Sequence, residues 1–369
     1  MRDHLLAIRD RILLSTRFQR LAAAFPLTRP IANAQAQKAF DLCAGFVYSQ
    51  ITLACVRLGV LDAVRDGVLS IDVLAARAGL PLARARVLVN AAAAIGLLSL
   101  RSRDRIGLGM KGAAIVANPA ISALIEHHAL LYDDLSDPVA VLRGREDSGR
   151  IRRFWPYAAG GARGAEETQE IKAYCELMGH SQELISNDII AAVSFAGFGR
   201  VLDIGGGDGT FLAALARSSS SFSGCLFDLP AVADRAGRNF EAAGLSDRCE
   251  VVGGDFLVDQ MPSGFDAATL VRVLHDHDDG DAARLLSSVC RGLQPGGTVI
   301  IAEPMSGMAG TATVADAYFG FYLMAMGSGR PRRPDEISSL LIAAGFRDVR
   351  IVRTRRPLLV CIVIAQSPK

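Results

Sequence analysis

The stretch Val201-Leu-Asp-Ile-Gly-Gly-Gly-Asp-Gly-Thr-Phe211 carries an apolar run straight into a glycine-rich turn and out into a helix. Val201, Leu202 and Ile204 read as a buried parallel strand. Gly205, Gly207 and Gly209 let the backbone turn tightly and approach a ligand, and residues 211–216 begin the helix. This is the ligand cradle of a doubly wound α/β sheet. Asp228 follows Gly205 at about the interval of a ribose-holding carboxylate, at the end of the next apolar run, Cys225-Leu-Phe227.

Dinucleotides and S-adenosylmethionine both bind such cradles. The turn here is Gly-x-Gly-x-Gly, and it carries Asp203 and Asp208, whose charges would repel phosphates but suit a sulfonium and an ammonium group. Gly253-Gly-Asp-Phe256 follows Val251-Val252, which puts Asp255 and Phe256 at the mouth of a further strand to hold and flank an adenine. Asp259 reads as a solvated loop residue. Residues 267–274 form another strand-like run before the helix 282–292, so His275 sits at a strand's carboxyl end, facing the same crevice. Leu293-Gln-Pro-Gly-Gly297 reads as a turn, residues 298–302 as a strand, and Glu303 closes it at the same edge. Arg272 is placed to pair with Asp255 or with a donor carboxylate. His277 reads as a loop residue, and His127 and His128 as surface or packing histidines.

The chain has 369 residues, half of them hydrophobic, which is enough for two domains. A net charge of +2 argues against a nucleic-acid binder driven by charge alone. The seven cysteines are scattered without a Cys-x-x-Cys pair, so they read as reduced core residues with no metal site. No signal-peptide pattern and no apolar run near ~20 residues is evident, which predicts a chain on the cytoplasmic side. Residues 1–165 have a helical grammar of their own. Ser70 is placed to cap the helix 71–78, Gly79 stops it, Pro81 opens the next helix, and Gly96 ends that one before a hairpin at residues 101–105. This is a winged helix-turn-helix pattern, and Arg84, Arg86, Arg101, Arg103 and Arg105 keep a DNA-reading alternative open. Residues 349–365 read as two strands joined at Arg355-Arg-Pro357, a hairpin that adds an antiparallel strand to the sheet.

The set Asp-Ile-Gly-Gly-Gly-Asp-Gly, Phe-Asp-Leu-Pro, Gly-Gly-Asp-Phe, Arg-Val-Leu-His-Asp, Leu-Gln-Pro-Gly-Gly and Ala-Glu-Pro, in this order, resembles the class I S-adenosylmethionine-dependent O-methyltransferases of the plant caffeate and bacterial polyketide type. The resemblance implies a Rossmann-like seven-stranded catalytic domain at residues 166–369, preceded at 1–165 by a mainly helical, winged-helix domain for dimerisation and substrate lining. It implies S-adenosylmethionine held by Asp203, Gly205, Gly207, Asp228, Leu229, Asp255, Phe256 and Arg272. It makes His275 the general base and Glu303 the carboxylate that orients it. A second family carboxylate is replaced by Pro331, with Asp276 or Asp316 as substitutes. Tyr174, Met178, Ser181 and Gln182 are brought near the reacting centre, and Phe46, Tyr48, Phe319, Phe321, Tyr322, Met324 and Met326 to the acceptor.

Residues 15–32, 40–50, 152–157 and 325–332 further resemble the subfamily that methylates acyclic hydroxycarotenoids in purple photosynthetic bacteria. That implies a tertiary 1-hydroxyl as acceptor, as in hydroxyneurosporene or demethylspheroidene, with a phenolic, polyketide or chlorophyll-type ring as the alternative. A bilayer-resident acceptor implies contact with a membrane surface. Leu5, Ile8, Ile12 and Phe18 lie near one helical face within residues 1–25, among Arg2, Arg9, Arg11, Arg17 and Arg20, while the apolar helix 40–58 suits a homodimer interface.

Overall fold

The computed structural model describes residues 2–144, 149–155, 179, 182–183, 185–219 and 222–369. Tyr174, Met178, His180 and Ser181 lie outside them. The chain divides into two compact units, Met1–Asn118 and Pro119–Lys369. The division falls earlier than the expected boundary at residue 165. The reason is packing: Leu131, Ile151 and Trp155 share one apolar cluster with Tyr322, Leu323 and Met326, which ties the intervening helices to the second unit.

The first unit begins with helices Arg2–Leu14, Thr16–Ala24 and Arg29–Arg57; Ser15 caps the second through its side-chain oxygen, which accepts from the Phe18 N–H. The first two bury no residue. Helix Arg29–Arg57 has a mean hydropathy of 1.5 over its most apolar 18 residues and is long and apolar enough to cross a membrane, which corrects the expectation that no segment comes near that length. Its small residues, Ala, Gly, Ser and Thr, interrupt the apolar run without adding charge between Asp41 and Arg57. The wing follows, with β1 (Leu69–Ser70), helices Ile71–Arg77 and Leu82–Ala94, β2 (Leu98–Arg101) and β3 (Arg105–Leu108) in an antiparallel sheet of order β1-β3-β2. Ser70 stands at the N-cap position, but its side chain does not cap. Arg86, a candidate DNA contact, is instead ion-paired to Asp104 of the wing at 2.7 Å.

In the second unit, β4 (Arg200–Ile204), β5 (Ser223–Asp228), β6 (Cys249–Gly253), β7 (Phe265–Val271), β8 (Leu293–Glu303), β9 (Arg347–Val352) and β10 (Cys361–Gln366) form one sheet of order β6-β5-β4-β7-β8-β10-β9. The first five are parallel and β10 runs antiparallel to both β8 and β9, as the terminal hairpin requires. Alternation drives both faces into cores: Val201, Leu226, Ile300 and Ile362 enter one cluster, and Leu202, Phe227, Ile301 and Val363 the other. The turn expected at residues 293–297 is part of β8, since Leu293 already pairs with Phe265 before a register shift. The strand order reverses between β4 and β7, so the carboxyl ends of those strands open a crevice at the switch point. Both the glycine turn and His275 follow those ends.

Candidate active site

Gly205, Gly207 and Gly209 all have positive φ, at 65°, 61° and 82°. A Cβ on Gly205 would lie 2.8 Å from Val273, and one on Gly209 would lie 2.6 Å from the Phe240 ring, whereas one on Gly207 would meet nothing within 4 Å. Two glycines therefore admit neighbouring side chains, and the third bares its backbone to the crevice. Asp228 fixes that third position: its Oδ2 accepts the Gly207 N–H at 2.8 Å and its Oδ1 the Leu229 N–H at 2.7 Å. Burial pushes the Asp228 carboxyl up to about 6. Its free lone pairs suit two ribose hydroxyls, so the cradle fits a nucleoside.

Asp203, read as a donor ligand, is fully buried beneath Gly206, whose Cβ would lie 2.6 Å from its Oδ2. Its Oδ1 accepts the Thr269 hydroxyl at 2.6 Å while Oδ2 has no hydrogen-bond partner among the described residues, and burial raises its pKa to about 7. That makes it a support of the turn from below. Asp208 is half-buried, and its Oδ1 accepts the Thr210 N–H and hydroxyl at the start of helix Thr210–Ser218. Asp255 accepts from Leu257 N–H at 2.9 Å, and its own N–H goes at 2.8 Å to Asp259, an exposed loop residue as expected. Phe256 meets His277 edge-on at 5.2 Å between ring centroids. His277 is the loop residue its context suggested, between the 3-10 turn and the helix Asp279–Gly292, and it is buried there, which lowers its pKa.

His275 lies in a 3-10 turn, Leu274–Asp276, after Arg272, a non-glycine residue at φ 60°. Such a backbone conformation is uncommon outside glycine and is held here by the Arg272 N–H bond to Ala302 O at 2.9 Å. His275 is only 3% exposed. Asp276 Oδ1 is 3.2 Å from its Nε2, and Glu303 Oε1 is 3.7 Å from its Nδ1. Glu303 does not hydrogen-bond the ring at that distance. Its Oε1 instead accepts the backbone N–H groups of Val273 and His275, each at 3.2 Å, and that of Leu274. Thus Glu303 holds the turn and acts on the ring through its charge. Burial alone would lower the His275 pKa, but Asp276 and then Glu303 outweigh it and raise it above its ordinary value, with Arg272 opposing. Asp316 is exposed, so Asp276 is the carboxylate at the ring.

One wall beside His275 is aromatic. Phe319, at the end of the π-helical segment Thr313–Phe319, packs edge-on to His275 at 5.6 Å. The next helix, Gly320–Met326, buries Tyr322 and Met326. His127 and His128 are packing histidines, one of the two readings their sequence allowed. His127 Nε2 is 2.5 Å from Tyr322 Oη and His128 Nε2 is 2.9 Å from Tyr318 Oη. Trp155 Nε1 donates to Tyr322 Oη at 2.9 Å. Burial lowers the His127 pKa to about 4, so the ring that shares this hydrogen bond with the tyrosine hydroxyl is neutral. Tyr322→Phe strands both the indole N–H and the imidazole nitrogen. It is expected to lower unfolding stability in urea by about 2–4 kcal/mol. Phe46, by contrast, is 72% exposed, and Phe321 is exposed too. Gln182 is half-buried, and its carbonyl accepts the Ser186 hydroxyl at 2.7 Å.

A sheet with an antiparallel terminal hairpin, a glycine cradle backed by a ribose-ready carboxylate, and a buried histidine between two carboxylates defines a methyl-transferring enzyme. Residues 132–347 match the family model of the O-methyltransferase domain. The chain is 42% identical to demethylspheroidene O-methyltransferase of Cereibacter sphaeroides over 97% of its own length and 94% of that protein's. It is 38% identical to demethylspheroidene O-methyltransferase of Rhodobacter capsulatus, over 96% and 88%. Among solved structures, the calicheamicin-biosynthesis methyltransferase CalO1 in its SAH-bound form superposes with a TM-score of 0.75 at 25% identity, over 91% of this chain and 98% of that one. The chain belongs to the O-methyltransferase family, and its methyl donor is S-adenosylmethionine.

Proposed function

We propose that this enzyme methylates the tertiary 1-hydroxyl of an acyclic hydroxycarotenoid of the demethylspheroidene or hydroxyneurosporene type. The observation that carries the reading is the near full-length identity to two enzymes named for demethylspheroidene. The chemistry of His275 supports it. An aliphatic hydroxyl resembles water, pKa ~16, so complete deprotonation by an ordinary imidazole would cost on the order of 12 kcal/mol. A phenol, with a pKa of ~10, would ask for about 5. A base held above its ordinary pKa by two carboxylates narrows the larger gap, and an aliphatic acceptor needs that more than a phenol does. The Phe319 ring, packed edge-on to His275, suits a polyene whose only polar handle is the hydroxyl.

Gly205, Gly207, Asp228 and Leu229 would hold the donor's nucleoside, with Asp255 and Phe256 beside the adenine and Arg272 near its carboxylate. Bound there, the donor supplies an electrophilic methyl group. His275 accepts the hydroxyl proton as the oxygen attacks, and the charge it gains rests between Asp276 and Glu303. By resemblance alone, Tyr174, Met178 and Phe46 are the further candidates for acceptor contact.

The long helix Arg29–Arg57 serves a homodimer, with Phe40 and Leu42 exposed on it. The arm formed by helices Arg2–Leu14 and Thr16–Ala24 touches the membrane surface that holds the acceptor. Its exposed Leu5, Leu13, Leu14, Phe18 and Leu21 lie among Arg2, Arg9, Arg11, Arg17 and Arg20. The winged region and the catalytic region are the two functional domains, and the enzyme sits at the cytoplasmic face of the photosynthetic membrane.

Competition between a hydroxycarotenoid in vesicles and soluble phenolic and tetrapyrrole acceptors tests the substrate. The expected outcome is a kcat/KM at least 100-fold higher for the carotenoid; equal or reversed preference refutes the assignment. Sedimentation with anionic vesicles should carry the full chain down at low salt. A chain lacking residues 1–25 should stay in the supernatant as a dimer in the analytical ultracentrifuge.

A further inference from the structure

We propose that Arg332, with the strap of residues 328–332 that carries it, is a positioning residue for the base: it clamps the carbonyl side of the turn that presents His275. The inference rests on His275 as general base and concerns a side chain in none of the site motifs.

Arg332 is 1% exposed and is the bulkiest fully buried side chain among the described residues. Burying a guanidinium is costly unless its N–H groups are taken up, and a methionine or leucine of similar volume would fill the space without that demand. Its N–H groups go to the His275 turn. Nη1 donates to Leu274 O at 2.6 Å and Nη2 to His277 O at 2.7 Å, while Nε and Nη2 reach Asp279 Oδ1 at 3.0 and 2.8 Å. The strap's other residues take the two carbonyls between. Arg330 N–H donates to His275 O at 2.8 Å, and the Ser328 hydroxyl to Asp276 O at 3.0 Å. Gly329 N–H bonds Asp278 Oδ1 at 2.9 Å, and a Cβ on Gly329 would collide with His275 O.

All four carbonyls from Leu274 to His277 are therefore held by one five-residue segment. On the opposite side of the turn, the N–H groups of Val273, Leu274 and His275 converge on Glu303, and those of Asp276 and His277 close the turn on Val273 O and Leu274 O. No backbone polar group from Leu274 to His277 is left without a partner. The turn is gripped from both sides, and what it presents is the imidazole of His275 with Asp276 Oδ1 at its Nε2. Only a planar fork can span Leu274 O, His277 O and Asp279 at once. A lysine has one nitrogen on a flexible stem and cannot.

If the clamp sets the ring's distance to Asp276, loosening it should change turnover and the base's titration together, while donor binding stays. Arg332→Lys is expected to lower kcat for a hydroxycarotenoid at least 10-fold and to change the donor Kd less than twofold. It should also move the acid limb of the kcat profile down by about half a unit or more as the ring loses its carboxylate neighbour. Ser328→Ala, which removes one hydroxyl from the strap, should shift the limb the same way with a several-fold loss in kcat; it keeps the test open if Arg332→Lys does not fold. A folded Arg332→Lys enzyme within twofold of the parent kcat overturns the proposal. So does a loss of kcat in both variants with the acid limb unmoved, since that is the signature of general destabilisation. His275→Ala run in parallel separates the two readings: if it remains active, the assignment of the base fails, and if it is inactive while Arg332→Lys is unaffected, only the clamp fails.

Discussion

His275→Gln is expected to reduce kcat roughly 1,000-fold, within the 10²–10⁴ range that a positioned general base contributes, while leaving donor affinity unchanged. The side chain is buried in the turn Leu274–Asp276, while the Asp228 bonds that brace the cradle run to Gly207 and Leu229, so its loss should remove proton transfer and leave the cradle in place. The pH profile carries the same argument. Catalysis needs His275 unprotonated, and its pKa is raised, so wild-type kcat should climb with pH along a limb centred above the ordinary imidazole value of ~6.5. Asp276→Asn removes the carboxylate 3.2 Å from Nε2 and should bring that limb down. A limb that does not move in Asp276→Asn would mean the two side chains are uncoupled.

Asp228→Asn is expected to weaken donor binding roughly 10- to 100-fold, since hydrogen bonds to a charged group contribute about 1.5–3 kcal/mol against about half that for neutral partners. On the proposed assignment, the carboxylate accepts two ribose hydroxyls in its ionised form while it also holds the N–H groups of Gly207 and Leu229. Its folded-state pKa is raised to about 6 by burial. As pH falls through that value the protonated form takes over, and donor affinity should drop about tenfold per unit below it and stay level above it. The asparagine variant should show a flat profile over the same range. Isothermal titration between pH 5 and 8 separates the two, and a pH-dependent Asp228→Asn variant would place the titrating group elsewhere, with Asp203 the next buried carboxylate.

The fold was readable where its determinants are local. The strand, glycine turn and helix at residues 200–218 announce themselves because strand burial and positive φ each constrain residue type within a few positions. His275 was equally legible, being a titratable residue at the carboxyl end of a parallel strand. What the sequence did not show is mostly a partner that is remote along the chain. His127 and His128 meet tyrosines 195 and 190 residues away, and nothing near them in the chain reports it. The only available signals were two adjacent histidines and two tyrosines four apart, Tyr318 and Tyr322, a matching pattern on two helices. Arg332 sat in a basic run, Arg330-Pro-Arg-Arg333, that looks solvated; burial singles out one of its three arginines. Glu303 was placed correctly at the strand end, yet its Oε1 accepts backbone N–H groups, a demand created by the turn and invisible in side-chain identity. Asp203 lies in the motif, but it is fully buried and faces the fold and not the crevice.

The most direct test of the account is a single turnover with methyl-labelled S-adenosylmethionine and 1-hydroxyneurosporene or demethylspheroidene in vesicles, with the product's label located by mass spectrometry. The account predicts label in a 1-methoxy group, formed by the parent enzyme and absent with His275→Gln despite full donor binding. Label that stays in the donor with the parent enzyme, or that reaches the carotenoid equally fast without His275, would contradict it.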